Sequence, residues 1–217
     1  MIETTKTQLP LKEKAYNLIK NKIVKCELAP GNPISEAELS NELGMSRTPV
    51  REALLRLSQE KFITIYPRKG IIVSPITVQD IHEVFQVREI VEPYFAKIGC
   101  RNMSKEYLID LRKKFESANF DLGHPSGTEY FDLDIEFHKY IIKAGNNSHL
   151  IKFTNRIFEL DYRIRVMSTL AIEDIVNRSR PEHFDIIEAL INKDEKKIEE
   201  TIKGHIANAR EAALLKI

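Results

Sequence analysis

Residues 45–57, MSRTPVREALLRL, constrain this chain most, because they dictate one short helix with an apolar face and a basic start. Ser46 is a favoured N-cap residue, Pro49 is tolerated in a first helical turn, and Val50, Ala53, Leu54 and Leu57 recur at helical spacing. Arg47 and Arg51 lie four residues apart near the N-terminal end. A helix anchored by its apolar face, with arginines at its start, suits the major groove of DNA. There a guanidinium can fork onto guanine O6 and N7 or clamp a phosphate. Any capped surface helix can carry two arginines, so the flanking sequence has to decide.

The flanks supply a motif. Ala15, Leu18, Ile19 and Ile23, spaced among lysines, predict an amphipathic helix over 11–24, and a turn follows over 29–33. Ser35 and Glu38 have the spacing of a capping box, and Ala37, Leu39 and Leu43 carry a second helix that stops at Gly44. Helix, glycine turn and helix make a helix-turn-helix, with Met45 in the turn. Beyond it, β-prone runs at 62–66 and 71–74 flank Pro67, Arg68, Lys69 and Gly70. A hairpin with a basic tip is a wing, suited to a phosphate or the minor groove. Residues 1–75 hold 12 Lys+Arg against 8 Asp+Glu, whereas the remainder holds 21 against 24, so the basic excess accompanies this motif.

From Thr77 the strand signal vanishes. Helices are expected at about 77–99, 104–119, 127–144, 148–172, 179–191 and 194–215, with Thr77, Ser104, Ser179 and Asn192 or Asp194 as caps. A loop at 121–127 and a break at 144–147 are short, which favours antiparallel neighbours. The expected fold is mainly α. A winged helix-turn-helix with a small β-hairpin occupies 1–75, and an all-α antiparallel bundle occupies 76–217. Cys26 and Cys100 have no paired spacing and read as reduced, core-filling thiols. No apolar run reaches membrane-spanning length and the start lacks a secretory core, so a cytoplasmic protein without membrane partners is expected.

Four polar residues stand where apolar ones belong. Asp134 and His138 interrupt the stripe of Tyr130, Phe137 and Ile141; His183 joins Ile186, Ile187 and Leu190; His205 joins Ile198, Ile202 and Ala209. An unpaired buried carboxylate costs several kcal/mol or shifts its pKa, so Asp134 needs a partner. A histidine on an apolar face is ordinarily a hydrogen-bonded core residue. Three of them with a matched aspartate also make an N3O set that could hold a divalent metal. Zinc is the first expectation, and nickel, manganese or iron are also accommodated. His82, His124 and His149 lack this placement and read as surface or loop residues. Arg88, in the stripe of Ile81, Val84, Phe85 and Phe95, can pair with Glu92 at i+4 or hold a ligand carboxylate bidentately. Arg163 and Arg165 are weaker candidates for that role, with a solvated face as their default.

Taken together, the chain resembles GntR-family transcription regulators of the FadR subfamily, whose C-terminal helical domain is known as FCD. The resemblance runs through LAPG (28–31), ISE (34–36), Glu38 and Leu39, LGMSRTPVREAL (43–54) and RKG (68–70), and then through Asp134, His138, residues 144–147, Glu182, His183 and GHI (204–206). It implies DNA contacts from Arg47, Thr48 and Arg51, with Ser46 at the helix start and Arg68, Lys69 and Gly70 in the wing. Some members place a further base-contacting arginine on the preceding helix, where this chain has Ala37. The resemblance further implies a metal held by Asp134, His138, His183 and His205, and a small carboxylate effector near it, with Arg88 and Asn147 as candidate contacts. It also implies a homodimer on a palindromic double-stranded operator. The function expected is therefore a bacterial regulator, a repressor, tuned by an effector. A metal-dependent enzyme and an effector-independent DNA-binding protein are the alternatives; no positioned nucleophile or general acid supports the former.

Overall fold

A computed structural model describes residues 9–118, 129–169 and 174–215. The chain divides into two compact units, Met1–Ile76 and Thr77–Ile217. In the first, α1 (Leu11–Val24), α2 (Glu36–Leu43) and α3 (Arg47–Gln59) precede a hairpin of β2 (Ile63–Tyr66) and β3 (Gly70–Val73). A two-residue strand, β1 (Pro33–Ile34), completes an antiparallel sheet of order β1-β3-β2. Two residues carry no alternation, so β1 escapes pattern reading; its pairing with β3 creates it.

Local chemistry explains the helix boundaries. The Ser35 hydroxyl accepts the Glu38 amide at 3.3 Å, and Gly44 ends α2 at φ 61°, a left-handed position suited to glycine. Ser46 stands at the N-cap of α3 with extended backbone, but its side chain makes no capping bond, contrary to the expectation for it. Pro49 is accommodated because first-turn amides lack intrahelical acceptors. Val50, Ala53, Leu54 and Leu57 are buried as the spacing predicts. On α1 the buried set is Ala15, Tyr16, Ile19 and Ile23, and Leu18 is exposed. The apolar arc is centred on Ala15, Tyr16 and Ile19, which leaves Leu18 outside it, so its assignment to the stripe is corrected.

The second unit is helical: α4 (Val78–Gly99), α5 (Lys105–Ser117), α6 (Glu129–Ala144), α7 (Ser148–Thr169), α8 (Asp174–Asn192) and α9 (Glu195–Leu214), with a 3-10 turn at Cys100–Asn102. Thr77 and Asp80 form a reciprocal capping box, while Ser104 and Asp194 accept the Tyr107 and Lys197 amides. Among the alternatives at the last helix, Asp194 is therefore the cap and Asn192 ends α8. Helix α4 packs against α6, α7 and α9, and α8 packs against α5 and α9. The break after α6 is a close approach: a Cβ on Gly145 would lie 2.0 Å from the Phe95 ring.

One boundary differs. Helix α8 begins at Asp174, so Ser179 is not its cap; it is buried within the helix, 2.7 Å from the Tyr130 hydroxyl. Its oxygen serves a tertiary contact instead of the helix start. The expected loop at 121–127, the start of α6 at 127 and the end of α7 at 170–172 lie outside the described residues. Among the described residues no helix is long and apolar enough to cross a membrane.

Candidate functional sites

In the first unit, Ser46, Arg47, Thr48 and Arg51 are all exposed at the start of α3, and Arg68, Lys69 and Gly70 are exposed at the tip of the β2–β3 hairpin. Arg68 and Gly70 both adopt positive φ, 61° and 115°, which closes this turn. Arg51 is not loose. Its Nε and Nη2 donate to Glu36 Oε2 and Oε1 at 3.1 and 3.0 Å.

The second unit brings Asp134 and His138 of α6, His183 of α8 and His205 of α9 together, with one ligand atom from each within 4.8 Å of the others. All four are buried. Each ring is oriented from behind. His138 Nδ1 lies 2.5 Å from Glu92, His183 Nδ1 lies 3.0 Å from the Tyr130 hydroxyl, and His205 Nδ1 lies 2.8 Å from Glu182. The opposite nitrogens converge: His183 Nε2 stands 2.8 Å and His138 Nε2 3.8 Å from Asp134 Oδ1. Among the described residues, His138 Nε2 and His205 Nε2 have no hydrogen-bond partner. Anchored Nδ1 atoms with inward, unsatisfied Nε2 atoms are the arrangement that orients histidines toward a metal. The residues therefore fit a divalent ion. Glu92, Tyr130 and Glu182 were not singled out as orienting groups from sequence, and only the adjacency of Glu182 to His183 hinted at one.

Behind the cluster runs a chain of buried charges. Glu92 accepts from Arg88 Nε at 2.6 Å, Arg88 Nη1 donates to Asp161 at 2.9 Å, and Arg165 bridges Asp161 at 2.8 Å and Asp134 at 3.1 Å. Both readings of Arg88 thus meet in one place: it pairs with Glu92, yet its Nη2 has no hydrogen-bond partner among the described residues. Arg163 and Arg165 are buried, not solvated, because every residue from 161 to 166 is covered. Helix α7 packs against α4, α6 and α9, which leaves that turn no exposed face.

These charges set the acid-base behaviour. Burial alone would raise the Asp134 pKa, but Arg165, His138 and His183 hold it well below the carboxylate range. Burial likewise opposes ionisation of Glu92, and Arg88 and His138 override it, bringing Glu92 down to about 2. His183 is pushed down to about 4 by burial, against the pull of Asp134, and His205 is driven well down by burial and by its histidine neighbours. Neutral His183 and His205 beside an ionised Asp134 are protonation states that metal ligation requires.

A cavity in the same unit is lined by Phe85, Tyr130, Phe131, Ile164, Arg165 and Ala209, among others, and Arg165 alone of these pairs with Asp134. Asn147 lies elsewhere. It is exposed, and its Oδ1 accepts the His149 and Leu150 amides at 3.1 Å, so it opens α7. Of the two candidate effector contacts, Arg88 lies in the buried charge chain behind the cluster and Asn147 does not. His82 and His149 are exposed, and His124 lies outside the described residues.

A winged helix-turn-helix followed by a helical bundle with a buried His/Asp cluster defines the class as a DNA-binding regulator with a second, helical domain. Residues 11–73 match the family described as bacterial regulatory proteins, gntR family, and residues 83–208 match the FCD domain. The chain belongs to the GntR family of bacterial transcription regulators and carries an FCD domain. It is 25% identical over 213 residues to the HTH-type transcriptional repressor RspR of Escherichia coli K12, covering 96% of this chain and 93% of that protein. The solved structure of Escherichia coli McbR/YncC has the same fold, with a TM-score of 0.80 at 19% identity over 96% of this chain and 99% of the other. A solved metal-free FCD domain is also similar, with a TM-score of 0.54 at 20% identity over 66% of this chain and 97% of that one.

Proposed function

We propose that this regulator is a cytoplasmic repressor in which a divalent metal and a small carboxylate effector in residues 76–217 tune operator binding by residues 1–75. The carrying observation is the convergence of three back-anchored histidines on Asp134, with Nε2 atoms of His138 and His205 left without partners. Asp134, His138, His183 and His205 would hold the ion, with zinc the leading choice and nickel, manganese or iron compatible with the same N/O donors. Such an ion supplies a fixed positive charge and a coordination position for a carboxylate. Arg88, through its spare Nη2, and Arg165, at the cavity wall, are the cations this chain offers the same carboxylate.

On the output side, Arg47, Thr48 and Arg51 with Ser46 contact the major groove, and Arg68, Lys69 and Gly70 reach the backbone or minor groove. A homodimer matches a palindromic operator, and the apolar residues Ile90, Tyr94 and Ile98, exposed along one face of α4, offer a surface for a second copy. An effector alters operator affinity only by binding the two states of the dimer unequally, typically by about 5–150-fold.

The test uses protein purified without chelator. Metal content is measured directly, a duplex is selected from a random pool, and its affinity is titrated with and without chelator and short carboxylates. Stoichiometric metal, a palindromic selected site and a carboxylate-dependent affinity are expected. If Asp134→Ala keeps its metal, or carboxylates leave operator affinity unchanged with metal bound, the sensor half of the reading fails. Failure to select any duplex would overturn the operator half.

A further inference from the structure

We propose that Glu36 of α2 determines operator specificity, by holding the Arg51 guanidinium in one orientation and by disfavouring its use on phosphate. The inference rests on the reading that the start of α3 faces DNA. Glu36 and Arg51 meet fork on fork, with Nε to Oε2 at 3.1 Å and Nη2 to Oε1 at 3.0 Å. The pair sits at the surface, where the Arg51 side chain remains 67% exposed. Solvent screens an exposed ion pair, so this one does little for the fold. Its effect is on where the guanidinium points. With the Nε/Nη2 edge occupied, the Nη1/Nη2 edge stays open, and that planar edge matches the O6 and N7 acceptors of guanine.

Two consequences follow from the charge and the geometry. A long side chain ordered before DNA arrives loses less conformational entropy on binding, which favours the one base step it is aimed at. A carboxylate beside the arginine also cancels much of its attraction for phosphate, the contact that dominates binding to any sequence. The neighbouring arginines differ. Arg47, exposed on the same first turn, has no ion pair among the described residues. Arg56 points to α1, pairing with Glu13 and stacking 3.7 Å over the Tyr16 ring. Among the described residues, one arginine at the start of α3 is therefore held and one has no ion pair, a division that suits base reading by Arg51 and phosphate contact by Arg47.

The experiment compares full-length protein with Glu36→Gln, Glu36→Asp and Arg51→Ala on the selected operator and on a scrambled duplex, across a salt series, with melting as a fold control. Glu36→Gln should lower the operator-to-scrambled ratio about tenfold, mainly through tighter binding to the scrambled duplex and a steeper salt dependence. Glu36→Asp keeps the charge but is one methylene short of the fork contact, so it should relax the preference at one base pair while scrambled DNA stays weak. In the Arg51→Ala background, Glu36→Gln should cause no further loss of preference at that base pair. If Arg51→Ala lowers the ratio and Glu36→Gln does not, Glu36 has no part in specificity and the α3 reading stands. If Arg51→Ala itself leaves the ratio unchanged, the α3 reading falls and this inference with it.

Discussion

Arginine does opposite work in the two units. At the start of α3 the Arg51 side chain is 67% exposed and pairs with a single carboxylate, whereas Arg88 in α4 is 1% exposed and sits between Glu92 and Asp161. Water screens the first pair, so it can be broken and remade at little cost. Low dielectric surrounds the second, so each charge depends on its neighbours and on their geometry. The contrast suits a regulator: screened, exposed charges lie on the surface proposed to meet DNA, and buried, mutually dependent charges lie around the candidate ligand site.

The largest expected effect tests that contrast directly. Arg88→Ala removes the cation that Glu92 and Asp161 share, leaving Asp161 to Arg165 and Glu92 to His138, and should cost about 3–5 kcal/mol in urea unfolding, enough to leave some of the chain unfolded. Arg51→Ala, which removes only a solvent-screened pair, should leave the urea midpoint nearly unchanged. Equal costs would break the comparison.

Next in size is acid sensitivity of chelator-treated protein. His183 has a folded pKa of about 4, below its ordinary 6.5. The unfolded chain therefore binds the proton first as pH falls, and stability present above about 6.5 declines until pH reaches about 4. The loss is about 3 kcal/mol at most from this residue. Glu92, held at about 2, adds a loss of the same sign at lower pH. Unfolding midpoints at pH 7 and pH 5 read the difference; a midpoint that rises on acidification would contradict the burial of neutral His183.

A smaller change should follow at the rear of the candidate metal cluster. Glu182→Gln removes the charge behind His205 Nδ1, and metal affinity should fall by about 10–100-fold with little change in the fold. Competition with a chelator measures it. An unchanged affinity would mean that His205 is not a ligand or needs no orienting partner.

The smallest effect lies at α3. Arg47→Ala should weaken operator and scrambled duplex alike and reduce the salt slope by about 1, as for loss of one phosphate contact. A loss confined to the operator would assign Arg47 to a base instead.

Much of this was readable from periodicity. Val50, Ala53, Leu54 and Leu57 mark the buried face of α3, and Asp134, His138, His183 and His205 betray themselves as polar residues in apolar stripes. What resisted reading has a common cause. Ser179 carries the cap signature, but its hydroxyl meets Tyr130 forty-nine residues away. Arg163 and Arg165 match a solvated face, but neighbouring helices cover them. Asn147 lies in a signature segment, and its side chain caps α7 by accepting two amides at the helix start.

The sequence by itself determined the order of the helices and the wing hairpin, the helix-turn-helix, and the four candidate donors, because helical spacing and turn chemistry are local properties of the chain. Only the tertiary structure decided that Glu92, Tyr130 and Glu182 stand behind the histidines, that Asp161 and Arg165 tie Arg88 to Asp134, and that Glu36 holds Arg51. Most of those contacts join residues on different helices, and the direction of a charged side chain follows from whichever partner packing brings within hydrogen-bond reach.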